Sequence, residues 1–226
     1  VKGILLSSPA NPTGVVVRES NLRQLKKFVD KKQGFLIVDE IYQGIHLGNS
    51  IYESALAIDQ QIYILNSFSK YYSMTGWRLG WVVVPYETAE FFTRLAQNIF
   101  LAPNTVSQYA ALEAFNDQCF AIHEDRLQIV RQRIGALCKG LLDLGFTIPV
   151  KPEGGFYVFV DISHTGLDSY DFCLKMLMEY GVAITPAHDF SHHYGKNYVR
   201  FSCSTDLEAI YLGLDRLRIA LSDWGI

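Results

Sequence analysis

The sequence predicts an α/β fold with a mostly parallel sheet and flanking helices, followed by a smaller α+β region, on three observations. Three short apolar runs, at residues 4–6, 35–38 and 62–65, each lead directly into a cluster of polar residues. These runs lack strict alternation of apolar and polar residues, which is typical of strands buried on both faces of a parallel sheet. A helical pattern separates the first two runs, so we expect a β-α-β unit with a right-handed crossover.

The remaining elements follow in order along the chain. Ser20 is expected to cap the first helix and Gly34 to end it. Helical patterns dominate residues 87–144 and recur at 169–180 and after Asp206, and further strands are predicted at 79–84, 146–150, 156–160 and 198–203. We place a boundary near residue 120, which gives a large domain at 1–120 and a small domain at 121–226, joined by a long helix.

The composition is that of an ordinary globular chain, with 226 residues, 49% hydrophobic and 19% charged, and a formal net charge of -3. The densest basic group is Lys26, Lys27, Lys31 and Lys32, which we interpret as the solvated face of a helix, so no nucleic-acid partner is expected. No apolar run reaches the roughly 18 residues of a membrane span.

The four cysteines are scattered along the chain and show no metal-binding spacing. Reduced thiols in the core of a cytoplasmic protein are therefore the expected reading, with no metal site.

Polar clusters follow each of the three apolar runs, at residues 7–14, 39–42 and 66–70. In open α/β sheets, ligands bind at the carboxyl ends of the strands. Because the clusters follow three successive strands, their side chains are expected to converge on one edge of the sheet.

Lys70 carries the most specific signal in these clusters. It follows a buried strand and precedes Tyr71 and Tyr72, an apolar setting in which a bare ammonium group is costly. A surface lysine on a turn is the alternative reading. The functional reading is an amine whose charge is disfavoured, able to form a Schiff base with a carbonyl compound.

Neighbouring residues suit a phosphate. Arg78 presents a guanidinium fork, which binds phosphate bidentately, and the flanking Gly76 and Gly80 would let the backbone approach a ligand. The hydroxyls of Ser67 and Ser69 could donate to the same phosphate.

Asp39 follows its strand directly, where a carboxylate needs a cationic or donor partner. A protonated pyridine nitrogen is such a partner, and its charge makes pyridoxal 5'-phosphate (PLP) an electron sink. Tyr42 and Asn11 could bond the ring oxygen. In the later strand, Arg200 shares a face with Ser202, where it is either a surface residue or a clamp for a substrate carboxylate.

These segments, in this order, resemble the motifs of class I/II aminotransferases, the aspartate aminotransferase-like enzymes of PLP fold type I. The resemblance covers nearly the whole chain and lies in Asn-Pro-Thr-Gly at 11–14, Asp-Glu-Ile-Tyr at 39–42, Ser-Phe-Ser-Lys at 67–70, Gly-Trp-Arg-Leu-Gly at 76–80, Gly-Gly-Phe-Tyr at 154–157 and Tyr-Val-Arg at 198–200. It implies a transferase of nitrogenous groups that moves an amino group between an amino acid and a 2-oxo acid through a Schiff base on Lys70. It also implies PLP as cofactor and a homodimer in the intact protein.

The resemblance assigns a role to each site residue. Lys70, Asp39 and Tyr42 are the expected catalytic residues, with Lys70 as the base that moves the substrate α-proton. Arg200 would bind the substrate α-carboxylate, with Asn11 also near the substrate. The residues expected to bind PLP are Asn11, Asp39, Tyr42, Ser67, Ser69, Lys70 and Arg78.

The chain departs from the family pattern in length. It opens inside an apolar strand pattern without methionine, so we expect the C-terminal portion of a longer protein, with an incomplete large domain. The part that family members carry before it holds a phosphate-binding turn and much of the dimer interface. The truncated chain could therefore be inactive by itself.

Two other functions share these motifs. A PLP-dependent carbon-sulfur lyase of the same fold would release ammonia and pyruvate, so only its products distinguish it. An aminotransferase-like effector domain of a transcription regulator would be preceded by a winged-helix pattern in the coding sequence.

Overall fold

The computed structural model describes residues 2–48 and 52–226; Val1, the first residue of the strand pattern with which the chain opens, lies outside them. The chain divides into two compact units. The first contains the described residues of Val1–Ala10, Val16–Leu127 and Glu153–Gly155, and the second contains Asn11–Val15, Gln128–Pro152 and Phe156–Ile226. The assignment of domains to 1–120 and 121–226 stays a prediction.

The first unit contains a four-stranded sheet. Its strands, in spatial order, are β1 (Gly3–Ser7), β2 (Phe35–Asp39), β3 (Tyr63–Ser67) and β4 (Gly80–Val83). β1 pairs with β2 and β2 with β3 in parallel, whereas β4 is antiparallel to β3. Ser7 lies opposite Asp39, and Asp39 lies opposite Leu65, so the parallel strands end at one edge. The prediction of a mostly parallel sheet with flanking helices is confirmed.

One face of this sheet is covered and the other is open. Helix α1 (Glu19–Lys31) and the short turn Ala55–Ala57 pack on the side that carries Leu36 and Val38 of β2. On the opposite side, three apolar residues are exposed: Leu5 at 67%, Leu65 at 39% and Val82 at 40%. The expectation of strands buried on both faces is therefore wrong for the described residues, because α1 and the 55–57 turn cover only one of the two faces.

Helix α1 starts one residue before the expected cap. Arg18 is the N-cap residue, and Ser20 lies inside the first turn. The Arg18 carbonyl accepts the amides of Asn21 and Leu22, and Glu19 forms an ion pair with Arg23 at 2.7 Å. Because the backbone is already helical at Glu19, whose charge suits a helix N-terminus, the prediction that Ser20 caps the helix is wrong.

Lys26 departs from the solvated face predicted for its group. Only 9% of the residue is exposed, and its Nζ lies 2.7 Å from Asp30 Oδ1 and 3.1 Å from Asp59 Oδ2. Two carboxylates thus compensate the charge of this ammonium group, which is largely shielded from water. Lys27, Lys31 and Lys32 are exposed, as predicted.

The helical region predicted at 87–144 is confirmed as three helices. They are α2 (Ala89–Phe100), α3 (Thr105–Glu113) and α4 (Asp117–Asp143), and α4 continues into the second unit. Phe68 packs with Ala111 and Ala114 in a small core of the first unit. In the described parts of the chain, no helix combines the length and apolar character needed to cross a membrane.

The second unit has an antiparallel sheet and two further helices. The sheet order is β5 (Tyr157–Asp161), β7 (Tyr198–Ser202) and β6 (Thr185–Pro186). Helices α5 (Ser169–Tyr180) and α6 (Leu207–Asp223) begin after Asp168 and Asp206, whose side chains accept backbone amide hydrogens.

The strand predicted at 146–150 does not form. Thr147 makes a single bridge with Asp161, and the chain then bends at residues 149 and 150. Pro149 has no amide hydrogen to donate, so the apolar pattern of this segment does not extend into a ladder.

Glu40 is a buried carboxyl directly after Asp39. It is 4% exposed, and its Oε1 accepts the Ala55 amide at 2.7 Å. Burial raises the pKa of Glu40, and the charge of Asp39 acts in the same direction, although hydrogen bonds from Ala55 and Ser54 oppose the shift. The ionised form of Glu40 is therefore disfavoured in the folded chain.

The substitution Glu40→Gln tests this electrostatic cost. Because the pKa of Glu40 is raised by folding, its contribution to stability is fully present below its ordinary pKa of about 4.3 and is lost as the pH rises through the folded value. Gln keeps an oxygen for the Ala55 amide but carries no charge. We expect the stability of the variant relative to wild type to be greater at pH 7 than at pH 4, in urea unfolding.

The same exchange at the exposed Glu87 is the control, with an expected change within about 0.5 kcal/mol at either pH. If Glu40→Gln brings no relative gain between the two pH values, the buried carboxyl imposes no such cost.

Candidate active site

Six of the predicted site residues belong to the first unit and two to the second. Asp39, Tyr42, Ser67, Ser69, Lys70 and Arg78 lie on turns or strand ends of the four-stranded sheet. Asn11 and Arg200 lie together in the second unit.

Asp39 ends β2 and starts the turn that carries Tyr42. The Asp39 side chain is half-buried, and its Oδ1 accepts the amide of Ile41 at 3.0 Å, which orients the carboxylate at the strand end. Tyr42 is buried, and Gly155 lies beside its ring: a Cβ at Gly155 would lie 3.5 Å from Tyr42 Cδ1. The carboxylate and the phenol are thus carried by one short turn.

Lys70 lies in the turn after β3 and approaches Tyr42. Its Nζ is 5.7 Å from the centre of the Tyr42 ring, within cation-π range, and the residue is half-buried. The amides of Ser73 and Met74 donate to the carbonyls of Lys70 and Phe68, which closes the turn. The structure therefore brings together the amine and the phenol that the sequence placed after two different strands.

Ser67 and Ser69 form a hydroxyl pair at the start of this turn. Ser67 Oγ lies 3.0 Å from Ser69 Oγ and 3.1 Å from the carbonyl oxygen of Leu79, and it accepts the Ser69 amide at 3.0 Å. Because a serine hydroxyl has one hydrogen to donate, these contacts fix Ser67 within the chain. Ser67 thereby orients Ser69.

Arg78 is exposed and has a left-handed backbone, with φ of 51° and ψ of 48°. Its Nη1 donates to the carbonyl of Thr75 at 2.7 Å. The next residue, Leu79, accepts the Phe68 amide, so Arg78 is tied through the backbone to the segment that carries the two serines.

Gly80 serves strand pairing. A Cβ at Gly80 would lie 2.8 Å from the carbonyl oxygen of Asn66 on β3. The close approach of β4 to β3 therefore accounts for this glycine, in place of the ligand contact expected from the sequence.

In the second unit, Arg200 lies on the central strand β7. Its Nη1 donates to Asn11 Oδ1 at 2.8 Å and its Nη2 to Thr185 Oγ1 at 3.3 Å. The Asn11–Pro12 peptide bond is cis. The predicted alternation is confirmed, because the residues on the other face of the strand are buried: Val199, Phe201 and Cys203.

Two aromatic rings flank the guanidinium group of Arg200. Its central carbon lies 4.0 Å from the Tyr157 ring centre and 5.0 Å from that of Phe190. Within residues 2–48 and 52–226, no carboxylate pairs with Arg200, and its buried Nε has no hydrogen-bond partner. A partly buried cation without an anionic partner favours binding of an anion such as a carboxylate.

Sequence reasoning missed these aromatic neighbours. Tyr157 could have been found, because it lies on a predicted strand, two residues after the Gly154–Gly155 pair. Phe190 lies ten residues before Arg200 in an irregular segment, where no periodic pattern points to it.

Comparison with known proteins places this chain in a family. The family model for aminotransferase class I and II matches residues 1–217. A valine–pyruvate aminotransferase of Mycobacterium tuberculosis is 36% identical over 203 residues, which are 89% of this chain and 52% of that protein. An aspartate aminotransferase of Pyrococcus abyssi is 34% identical and matches 98% of this chain over 58% of its own length.

Solved structures agree with the sequence matches. An aminotransferase from Mycobacterium tuberculosis has a TM-score of 0.95 and 35% identity, and the match covers 99% of this chain and 58% of that one. The aspartate aminotransferase of Thermus thermophilus with maleate has a TM-score of 0.89 and 30% identity, over 97% of this chain and 57% of its own. The chain thus spans a little over half the length of these relatives, and its mixed sheet is a partial large domain of their fold. With a match from residue 1 to residue 217, this chain belongs to the aminotransferase class I and II family.

Proposed function

We propose that this chain carries the catalytic residues of a PLP-dependent aminotransferase, which moves an amino group between an amino acid and a 2-oxo acid. The observation that carries the proposal is the approach of the Lys70 amine to the Tyr42 ring, at the edge where the carboxyl ends of three parallel strands meet. Since the chain spans about half of its relatives, the activity is proposed for the protein that contains it.

The donor set at this edge fits PLP. An aldehyde needs an amine, which Lys70 offers, and a protonated pyridine nitrogen needs a carboxylate, which Asp39 offers half-buried at its strand end. Tyr42 offers a phenol for the ring oxygen. Ser69, oriented by Ser67, and Arg78 offer donors for a phosphate. When bound, PLP supplies an electron sink that makes the substrate α-proton acidic.

Each residue of this set would have a separate task. Lys70 would hold the cofactor and then, released, accept the substrate α-proton on Nζ. Asp39 would keep the pyridine nitrogen protonated through its negative charge. Tyr42 and Asn11 would hold the ring oxygen by donating hydrogen bonds.

Arg200 would bind the α-carboxylate that every amino acid and 2-oxo acid substrate shares. Its charge, flanked by Tyr157 and Phe190 and without a carboxylate partner in the described residues, supports this role. Asn11 would orient the guanidinium group through their 2.8 Å hydrogen bond. The relatives are named for valine and aspartate, whose side chains differ but whose α-carboxylates do not.

We also propose that the protein acts as a homodimer. Apolar side chains at a spacing of four residues are exposed along α2, at Phe91, Leu95 and Ile99, and α3 exposes three more, Val106, Tyr109 and Leu112. Exposed apolar side chains grouped in this way favour association with another surface. We assign that surface to a second copy of the chain.

The cytoplasm is the proposed compartment. All four cysteines are free thiols, which suits a reducing environment. Burial raises the pKa of the Cys173 and Cys203 thiols to about 12, so these thiols are inert core groups.

The Schiff-base assignment predicts a single modified lysine. After incubation with PLP and reduction with borohydride, peptide mass spectrometry should locate a phosphopyridoxyl group on Lys70 alone. Lys70→Ala should remove this adduct and abolish amino-group transfer to a 2-oxo acid, because the amine that moves the α-proton is lost.

Lys27→Ala, at an exposed lysine of α1, is the matched control and should keep both the adduct and the transfer. An adduct spread over surface lysines would contradict the assignment. Release of ammonia and pyruvate without a new amino acid would identify a lyase.

The carboxylate assignment predicts a loss of substrate affinity in Arg200→Ala. The variant should bind 2-oxo acids more weakly by roughly 2–5 kcal/mol, because a hydrogen-bonded charge pair loses one partner. The affinity of Arg200→Lys should lie between those of wild type and Arg200→Ala, since lysine keeps the charge but lacks the planar guanidinium fork. Unchanged affinity in Arg200→Ala, measured beside the exposed control Arg94→Ala, would remove Arg200 from the site.

The dimer assignment predicts that charge on α3 separates the copies. Val106→Arg with Tyr109→Arg should convert a dimer into a monomer in sedimentation velocity experiments, because two charges would enter an apolar contact. Ile219→Arg, at an exposed apolar residue of α6, is the control and should remain dimeric. A monomeric wild-type protein, or a variant that remains dimeric, would overturn the assignment.

A further inference from the structure

Tyr71 contacts both the turn that carries Tyr42 and helix α4. It directly follows Lys70, and its ring packs on Gly44: a Cβ added at Gly44 would lie 2.7 Å from Tyr71 Cδ2 and 2.8 Å from Cγ. The Tyr71 hydroxyl donates to Glu124 Oε1 of α4 at 2.7 Å. The ring of His123, the preceding residue of α4, lies 5.2 Å from the Tyr71 ring.

The contact with Gly44 depends on the absence of a side chain. Gly44 has a φ of 92°, a conformation that other residues rarely adopt, and its backbone leaves the space that the Tyr71 ring fills. Gly44 is two residues after Tyr42, and Tyr71 is one residue after Lys70. The turn after β2 and the turn after β3 therefore touch through this glycine and this ring.

The hydroxyl of Tyr71 remains a donor over the physiological pH range. Burial raises the pKa of Tyr71, and the hydrogen bond and charge of Glu124 act in the same direction. Burial also lowers the pKa of His123, which favours a neutral ring beside Tyr71. The bond from a neutral phenol to a carboxylate is a charge-assisted one.

We propose that Tyr71 is a positioning residue for Lys70: wedged against Gly44 and bound to Glu124, it fixes the separation of the Lys70 amine and the Tyr42 ring. That separation is 5.7 Å, and each group is carried by one of the two turns that Tyr71 joins. Glu124 anchors Tyr71 to α4, so the turn after β3 is held at a second point. The catalytic consequence rests on the proposed function, whereas the placement of the amine does not.

Tyr72 is the natural comparison. Its ring lies 5.1 Å from Phe68 and 5.5 Å from Phe115, and also 5.2 Å from the Tyr71 ring and 5.4 Å from the His123 ring. Because phenylalanine keeps the ring and its packing, Tyr72→Phe removes a hydroxyl from the same turn but leaves the contacts of Tyr71 with Gly44 and Glu124 in place.

The placement of Lys70 is measured first without a cofactor. Trace labelling with acetic anhydride, followed by peptide mass spectrometry, gives the acetylation rate of the Lys70 amine. In Tyr71→Phe and in Glu124→Leu we expect this rate to rise roughly fivefold, the factor that corresponds to one hydrogen bond of about 1 kcal/mol, because the amine becomes more accessible. Glu124→Gln, which keeps an acceptor oxygen, and Tyr72→Phe should keep the wild-type rate.

A double variant tests whether the two residues act through one bond. Tyr71→Phe with Glu124→Leu should give the same acetylation rate as either single variant, since both remove the same interaction. Wild-type rates in both single variants, an equal rise in Tyr72→Phe, or independent effects in the double variant would each overturn the proposal.

The catalytic consequence is measured in the PLP-loaded protein. Tyr71→Phe should lower kcat and the rate of borohydride-trapped adduct formation on Lys70 but leave KM unchanged, because the misplaced group is the amine and not the carboxylate clamp. If wild type fails to trap PLP on Lys70, the proposed function is overturned but the positioning role of Tyr71 is not, since the acetylation rates test that role independently. A rise in KM at constant kcat would overturn the positioning role.

Discussion

The parallel pairing of β1, β2 and β3 is the constraint on which the candidate site depends. The register places Ser7, Asp39 and Leu65 at one level, and the pairing extends past the strands, because the amides of Ser8 and Glu40 donate to the carbonyls of Asp39 and Leu65. A slip of one residue would exchange the two faces of β2. Asp39 would then enter the core and Glu40 would leave it, so the register itself selects which of two adjacent carboxyls is available for chemistry.

The sequence predicts well which side chains follow the strand ends at this edge, because each strand ends where apolar residues give way to polar ones. Asp39 and Lys70 were identified in this way, and α5 was predicted at its observed bounds. Two features that the sequence did not predict depend on contacts distant in sequence. Lys26 is buried because Asp59 reaches it from another segment, and Phe190 approaches Arg200 from an irregular turn. No local pattern encodes such contacts.

Two partly buried cations show how the structure distinguishes a charge that is paired within the fold from a charge that is left without an anionic partner. Lys26 is compensated by Asp30 and Asp59, so its charge is used within the fold. Arg200 has an amide oxygen, a hydroxyl and two aromatic rings around it, but none of the described carboxylates. The anion proposed for this position would offset the cost of holding such a charge. Sequence alone shows both as basic residues, and only their surroundings distinguish them.

The packing of Tyr71 on Gly44 means that the residue at each of these positions limits which residues the other can accept. Any residue larger than glycine at position 44 would need a smaller partner at 71, besides tolerating a φ of 92°. Conversely, a small residue at 71 would remove the steric constraint on position 44 and leave only the constraint of its φ. We therefore expect homologues with a bulky residue at one position to carry a small one at the other, so that the two sites evolve as a pair although 27 residues separate them in sequence.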